Sequence, residues 1–268
     1  MLTARSVGLC LAQMAVAGVI AFGGATLALA QTIECGAVLG PGGKFKLEAD
    51  LTCLPDSAEV ALTVDSATLD LNGHTVDCVI GEDGPLGILL IGQGAKLQNG
   101  TVQNCERNVG LVGNGKHAVT NVTLSGGDDG FDIFSDNNKL TGNTVTFTDN
   151  GTAFVVSGNK NKLSDNTVTS SRSRGFSVGG NKNTLRGNTV MNTEDEGIFV
   201  SGVGHTIKNN TALDNSDDGI RVFGTGHTIK NNTALNNLGA DIIDANGNCD
   251  FNTYKHNTFE TSDPACIE

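Results

Sequence analysis

The 268-residue chain has no tryptophan and a single tyrosine, Tyr254, while glycine and asparagine are abundant. Such a composition suits many turns around a thin aliphatic core rather than one built on aromatic side chains. Beyond residue 30 no window keeps a helical period, so repeats made of helices are excluded. No Cys-x-x-Cys occurs, which disfavours a cysteine metal site. Positive charge is scarce: 17 Lys and Arg stand against 29 Asp and Glu, a formal charge of −12. That balance argues against nucleic acid or an anionic membrane as partner, and an acidic polysaccharide would need a bridging cation.

The first thirty residues read as a secretory signal. Arg5 is the only charge before an apolar run through Ala30, and Ala28-Leu29-Ala30 fits a small-residue cleavage site before Gln31. No later stretch is long and apolar enough to span a bilayer, so no membrane insertion of the mature chain is expected. Six cysteines then remain: Cys35, Cys53, Cys78, Cys105, Cys249 and Cys266. An even count in an exported chain reads as disulfides, here expected between nearest neighbours, which would staple the two ends of the molecule.

What the chain does contain is a repeat. GHTIKNNTAL occurs at 204–213 and again at 226–235, and 226 − 204 = 22. An apolar marker follows this period at Ile88, Leu111, Phe131, Phe154, Phe176, Ile198, Ile220 and Ile242. A second ladder runs Leu97, Val119, Leu140, Leu163, Leu185, Ile207, Ile229 in the same register. Apolar residues two places after the marker give the alternation of a strand. The leucine-rich pattern is missing, because Val, Ile and Phe carry the ladders. Three short strands and three turns per coil fit best. The expected fold is all-β: a right-handed parallel β-helix solenoid of about ten coils with ~22-residue repeats and disulfide-stapled ends. The expected division is a signal at 1–30, an irregular N-terminal cap at 31–58, the β-helix at 59–247 and a C-terminal cap at 248–268. An Asn series, Asn121, Asn143, Asn166, Asn188, Asn210 and Asn232, reads as a stacked amide ladder at one corner.

The D-D-G-I and G-H-T-I-K-N-N-T repeats, with L-D-L-N-G-H-T at Leu69–Thr75, resemble the right-handed parallel β-helix proteins of the pectate-lyase-like superfamily, in particular the small NosD-like type. The resemblance covers roughly 59–260. It implies the fold, while the superfamily's activities range from lyases, hydrolases and epimerases to adhesins. In its lyases, acidic residues hold calcium against a uronate and a basic residue abstracts a proton. Signature runs are missing: there is no Asp-Pro-His, no Trp-x-Asp-His and no Gly-His-Gly.

Chemistry is most concentrated just before the marker strand. Stacking places Asp195-Glu196 against Asp217-Asp218, and four carboxylates so close need a cation or raised pKa values. Such oxygens suit Ca²⁺. They could equally form the acid–base pair of glycoside hydrolysis. Arg174, one coil earlier, is the candidate base beside catalytic candidates Glu196, Asp217 and Asp218. Asp132, Phe199, Arg221 and Phe223 are expected outward on the marker strands as substrate-binding groups. His205, His227 and His117 share a register filled by Asn138, Asn161 and Asn183 in the intervening coils. That pattern reads as His replacing Asn in a turn ladder, with a shared metal the alternative.

Function is therefore expected to be that of a secreted protein, extracellular or periplasmic, binding or processing a polysaccharide or cell-surface glycan along its outer face. If an enzyme, it would be a polysaccharide lyase, glycoside hydrolase or epimerase. The alternatives are a non-catalytic structural or cell-surface module, favoured by the missing signatures, and periplasmic copper handling.

Overall fold

Every described strand pairs with its counterpart one coil away, and every pairing is parallel. The structure is a computed structural model that describes residues 32–55, 57–79, 85–247, 249 and 251–267. The expected signal segment lies outside these residues. The strands form one compact unit that begins at Ile33. No helix is long and apolar enough to cross a membrane, among the described residues.

The architecture is a right-handed parallel β-solenoid of about ten turns with three strand faces. The first face is an eleven-stranded sheet running from Ala37–Leu39 to Ser262–Asp263. The second runs from Lys44–Lys46 to Thr253–Lys255 and the third from Leu51–Cys53 to Thr233–Leu235. Two long strands, Lys96–Gln103 and Ala118–Ser125, bridge the second and third faces. Alternation decides what lies inside. Leu140, Leu163, Leu185, Ile207 and Ile229 are fully buried in one stacked row. On the third face an outward column of threonine runs in register from Thr75 through Thr101, Thr123, Thr144 and Thr167 to Thr233, as suits a β-branched residue on a half-exposed pleat.

The corner between the second and third faces is held by asparagine. Asn188 Oδ1 accepts the backbone N–H of Asn166 at 3.0 Å, and its Nδ2 donates to Leu163 O at 3.0 Å and to Asn210 Oδ1 at 2.9 Å. The same bonds repeat through Asn143, Asn166, Asn210 and Asn232 to Asn257. Each buried amide therefore satisfies backbone groups that a tight turn would leave unpaired. Asn121 is not a rung. It occupies the preceding left-handed position (φ 54°) and is exposed, while Val122 stands in the ladder's register and donates to Asn143.

Three differences from the sequence reading have simple causes. The marker at Leu111 is displaced by one alternation, because Val109 pairs with both Ile88 and Phe131. Both Val109 and Leu111 are buried, so apolarity alone cannot choose between them. Among the described residues of the expected N-terminal cap, Ala37–Leu39, Lys44–Lys46 and Leu51–Cys53 are strands that join all three faces. Past residue 247, Thr253–Lys255 and Ser262–Asp263 continue the ladders. Cys35–Cys53, Cys78–Cys105 and Cys249–Cys266 are bonded as expected, near the ends where coils lose a neighbour.

Candidate functional site

The turn leading into the eleven-stranded sheet delivers the acidic residues, and the strand that follows delivers outward side chains. Ile198–Val203 and Ile220–Thr225 pair in register, which sets Phe199 beside Arg221 and Ser201 beside Phe223. Their inward partners Ile198, Val200, Ile220 and Val222 are fully buried, so the outward row is held by packing rather than by a loop.

Arginine organises the acidic corner. Arg174 Nε donates to Glu196 Oε2 at 2.6 Å, and its Nη2 reaches Glu196 Oε1 at 3.4 Å. The same Nε lies 3.6 Å from Asp195 Oδ2. Arg221 Nη1 donates to Asp218 Oδ2 at 2.9 Å, and its Nε lies 3.8 Å from Glu196 Oε1. Glu196, only 3% exposed, is thus gripped between two guanidinium groups. The Arg174 guanidinium also covers the Phe199 ring at 4.3 Å, a cation–π contact. Phe223 remains open at 54% exposure. The expected group Arg174, Asp195, Glu196, Phe199, Asp217, Asp218, Arg221 and Phe223 is therefore brought together, although Phe199 lies beneath Arg174 instead of bare.

The carboxyl groups are driven apart in acidity. Burial raises the pKa of Asp195, and the adjacent Glu196 charge raises it further against the pull of Arg174. Burial also acts upward on Glu196, but the Arg174 hydrogen bond and charge outweigh it and lower its pKa. Asp218 is raised by burial, although Ala240 N–H and Arg221 oppose the shift. Arg174 is disfavoured as a cation by burial, yet Glu196, Asp195 and Asp217 more than restore its charge and raise its pKa. A guanidinium held so firmly charged is unsuited to removing a proton. It is suited to binding an anion or steadying a developing negative charge.

Asp195, Glu196 and Asp217 offer ligand oxygens within 4.8 Å of one another. A hard cation such as Ca²⁺ takes oxygen ligands of this kind. Arg174 already holds the Asp195 and Glu196 carboxylates, so a calcium ion fits this donor set only by displacing the guanidinium from Glu196.

Asp132 departs from its expected role as an exposed contact. It is 3% exposed, with Arg107 Nε at 3.2 Å from its Oδ2. Burial and, behind it, Asp129 push its pKa up to about 6 against the opposing charge of Arg107. Leu86, Leu89, Arg107, Val112, Asp132 and Phe134 line a recess of about 190 Å³ on the same sheet. The outward column connects the two places: Asp132, Val155, Ser177 and Phe199 are paired in succession. Three strand spacings of ~4.8 Å put them roughly 14 Å apart. Arg107 escaped the sequence reading because of the displaced marker. Counted from Val109, it falls in the acidic-corner position opposite Asp129.

The histidines are part of the coil. His205 Nδ1 accepts the backbone N–H of Asn183 at 3.0 Å and His227 Nδ1 that of His205 at 3.1 Å. That fixes Nε2 as the protonated nitrogen, and it donates to Ser201 O and Phe223 O respectively. Each ring reproduces the bonds of Asn138 and Asn161 in the same ladder. No lone pair is left for copper, so these histidines lend the copper reading no support. Gly202 and Gly224 lie beside the rings at φ of +120° and +113°, and a Cβ there would clash with the carbonyl oxygens of Gly180 and Gly202 in the preceding coils.

Comparison with known proteins agrees with the fold. The chain is similar in structure to DFA-IIIase from Arthrobacter chlorophenolicus A6 in complex with GF2, with 10% identity, a TM-score of 0.55, and coverage of 85% of this chain and 69% of that one. It is similar to a mannuronic acid specific polysaccharide family 6 lyase from human gut microbiota, with 12% identity, a TM-score of 0.50, and coverage of 83% and 72%. A third similarity is to the Agl-KA catalytic domain, with 19% identity and a TM-score of 0.46; it covers 74% of this chain but only 40% of that one. At these identities the likeness is one of fold. No curated protein matches the sequence. The family described as right handed beta helix region matches residues 86–234, more than half of the chain, and the protein belongs to that family.

Proposed function

We propose that this is a secreted glycan-active protein that binds an acidic polysaccharide along the outward column of the eleven-stranded sheet and hydrolyses it at the acidic corner. The observation that carries the reading is Asp195, a carboxyl of raised pKa set close to Asp217 and to an arginine-held Glu196 on a rigid, outward-facing sheet. A carboxyl whose surroundings raise its pKa is suited to donating a proton. Asp195, partly exposed with a raised pKa, serves as the proton donor to the leaving oxygen. Asp217 offers the facing carboxylate. Glu196 anchors Arg174 and Arg221, which receive the sugar's own carboxylate, and Phe223 offers a ring face for a sugar. Two similar structures are named as a polysaccharide lyase and as DFA-IIIase in complex with GF2, which supports carbohydrate as the substrate class. The three disulfides support an oxidising, extracytoplasmic location.

The mature protein incubated with alginate, pectate and related glycans should release reducing ends without the absorbance of unsaturated sugars. Asp195→Asn should lower that rate by about 10²–10⁴-fold, the usual weight of a general acid. Unsaturated product would make it a lyase. A rate that requires added Ca²⁺ would give Asp195, Glu196 and Asp217 to the metal instead. A second reading, a non-catalytic rod, is favoured by the internal bonds of the corner acids: Asp218 Oδ1 accepts Ala240 N–H and Asp129 Oδ1 accepts Thr152 N–H, both at 2.8 Å. No product from any glycan would select it.

A further inference from the structure

The second face carries a pattern that the acidic composition does not account for. Consider its last six strands: Lys139–Thr141, Lys162–Ser164, Thr184–Arg186, Thr206–Lys208, Thr228–Lys230 and Thr253–Lys255. In each, the central residue is buried and the two flanking residues point outward. Each strand thereby presents one cation and one hydroxyl side by side, and none presents a carboxylate. In a chain with 29 acidic and 17 basic residues this is the reverse of the expected balance. Arg186, Lys208, Lys230 and Lys255 are consecutive partners in register. Like charges stacked one strand apart, at ~4.8 Å, repel each other. None of the six cations lies within 4.0 Å of a carboxylate, among the described residues, whereas Arg107, Arg174 and Arg221 beside the first face each do. Lys160 and Lys182, at left-handed corner positions just ahead of two of these strands, extend the positive strip sideways.

We propose that this strip is a second, non-catalytic binding face for a linear acidic glycan, which lies along the solenoid axis with its carboxylates on the cations and its hydroxyls on Thr184, Thr206, Thr228 and Thr253. One charge and one hydroxyl on every strand match a polymer whose every unit carries both. A sugar unit is about as long as one strand spacing, so chain and strip advance together. Single-stranded nucleic acid is a poorer fit, because the strip has no outward aromatic ring on which a base could stack. An anionic membrane is a poorer fit as well, since none of the exposed large apolar residues lies on these strands. The glycan class is shared with the proposed function, but the residues are not, so each can fail alone.

The test measures binding of polygalacturonate in EDTA at low salt, by isothermal titration or by anisotropy of a labelled oligomer. Wild-type protein should bind, and affinity should fall steeply as salt rises. The triple variant Lys208→Gln/Lys230→Gln/Lys255→Gln should bind more weakly by roughly tenfold or more and with a shallower salt dependence, as removing three cations from a polyelectrolyte contact requires. Its melting temperature should equal or slightly exceed that of wild type, since these side chains face solvent and their mutual repulsion is relieved. Glu196→Gln, on the other face, should leave intact the part of the binding that the triple variant removes, even where it abolishes turnover. Affinity of the triple variant within about twofold of wild type would overturn the proposal. Tighter binding of oligo-dT or phosphatidylglycerol vesicles than of polygalacturonate, lost in the same variant, would overturn it in favour of the other partner.

Discussion

Phe154→Ala is expected to lower stability by about 3–5 kcal/mol, the usual range for removing a buried phenylalanine. Phe131, Phe154 and Phe176 are fully buried markers of three successive coils. Their ring centroids are 4.8 Å and 4.6 Å apart, with interplanar angles of 22° and 12°. The middle ring is therefore in contact on both faces, and its removal opens a cavity that neither neighbour can fill without leaving its own coil. Because strands on all three faces are tied into ladders, relaxation into the gap is restricted. The free energy of urea unfolding, extrapolated to water, should fall by this amount. A loss below about 1 kcal/mol would mean that the stack relaxes and that the rings contribute little beyond their area. The site also divides the solenoid. Stability in stacked repeats resides in nearest-neighbour interfaces, so the variant's transition should broaden as the two flanks uncouple.

The histidine ladder should make the fold sensitive to acid. Burial holds His227 neutral and brings its pKa down to about 4, with His205 adding to the shift and Asp244 opposing it. His205 and His117 are lowered as well, again chiefly by burial. Between the unfolded value of 6.5 and a folded value near 4, the unfolded chain binds a proton that the folded chain refuses. Stability is then full above pH 6.5 and declines as pH falls through that window. For His227 alone the loss is about 3 kcal/mol at 1.36 kcal/mol per unit. Asp132 works in the opposite direction, because its raised pKa lets the folded state take up a proton below pH 6. The informative comparison is therefore between wild type and His227→Asn, which places the ladder's commoner residue in the same bonds. Denaturant midpoints across pH 4–7.5 should coincide near neutrality and diverge on acidification, with the variant the more stable. Parallel curves would show that His227 accepts its proton in the folded state.

Much of the architecture was legible because a solenoid writes each structural requirement into the chain once per coil. The second ladder, from Leu97 to Ile229, is in register throughout. The His-for-Asn reading followed from position alone, and hydrogen bonding explains why an imidazole can stand there. Counting failed where two alternating positions were equally apolar, as at Val109 and Leu111, and that slip hid Arg107. The acidic corner was visible as Asp195, Glu196, Asp217 and Asp218. Its electrostatics were not, because the partners of Glu196 come from two other coils and long arginine side chains choose among several carboxylates within reach. The burial of Asp132 was equally hidden, since it lies at an outward position within a recess shared with Arg107 and Phe134.

The repetition has one more consequence. From Gly204 to Thr225 the chain makes one complete circuit, and at Gly226 it begins the next with the same ten residues. Deleting 204–225 would rejoin Val203 to Gly226 with each side chain in its former column. The length of this molecule is thus a modular quantity, adjustable in whole turns. Any surface that depends on the number of turns, such as the run of cations on the second face, could be lengthened or shortened without redesigning the fold.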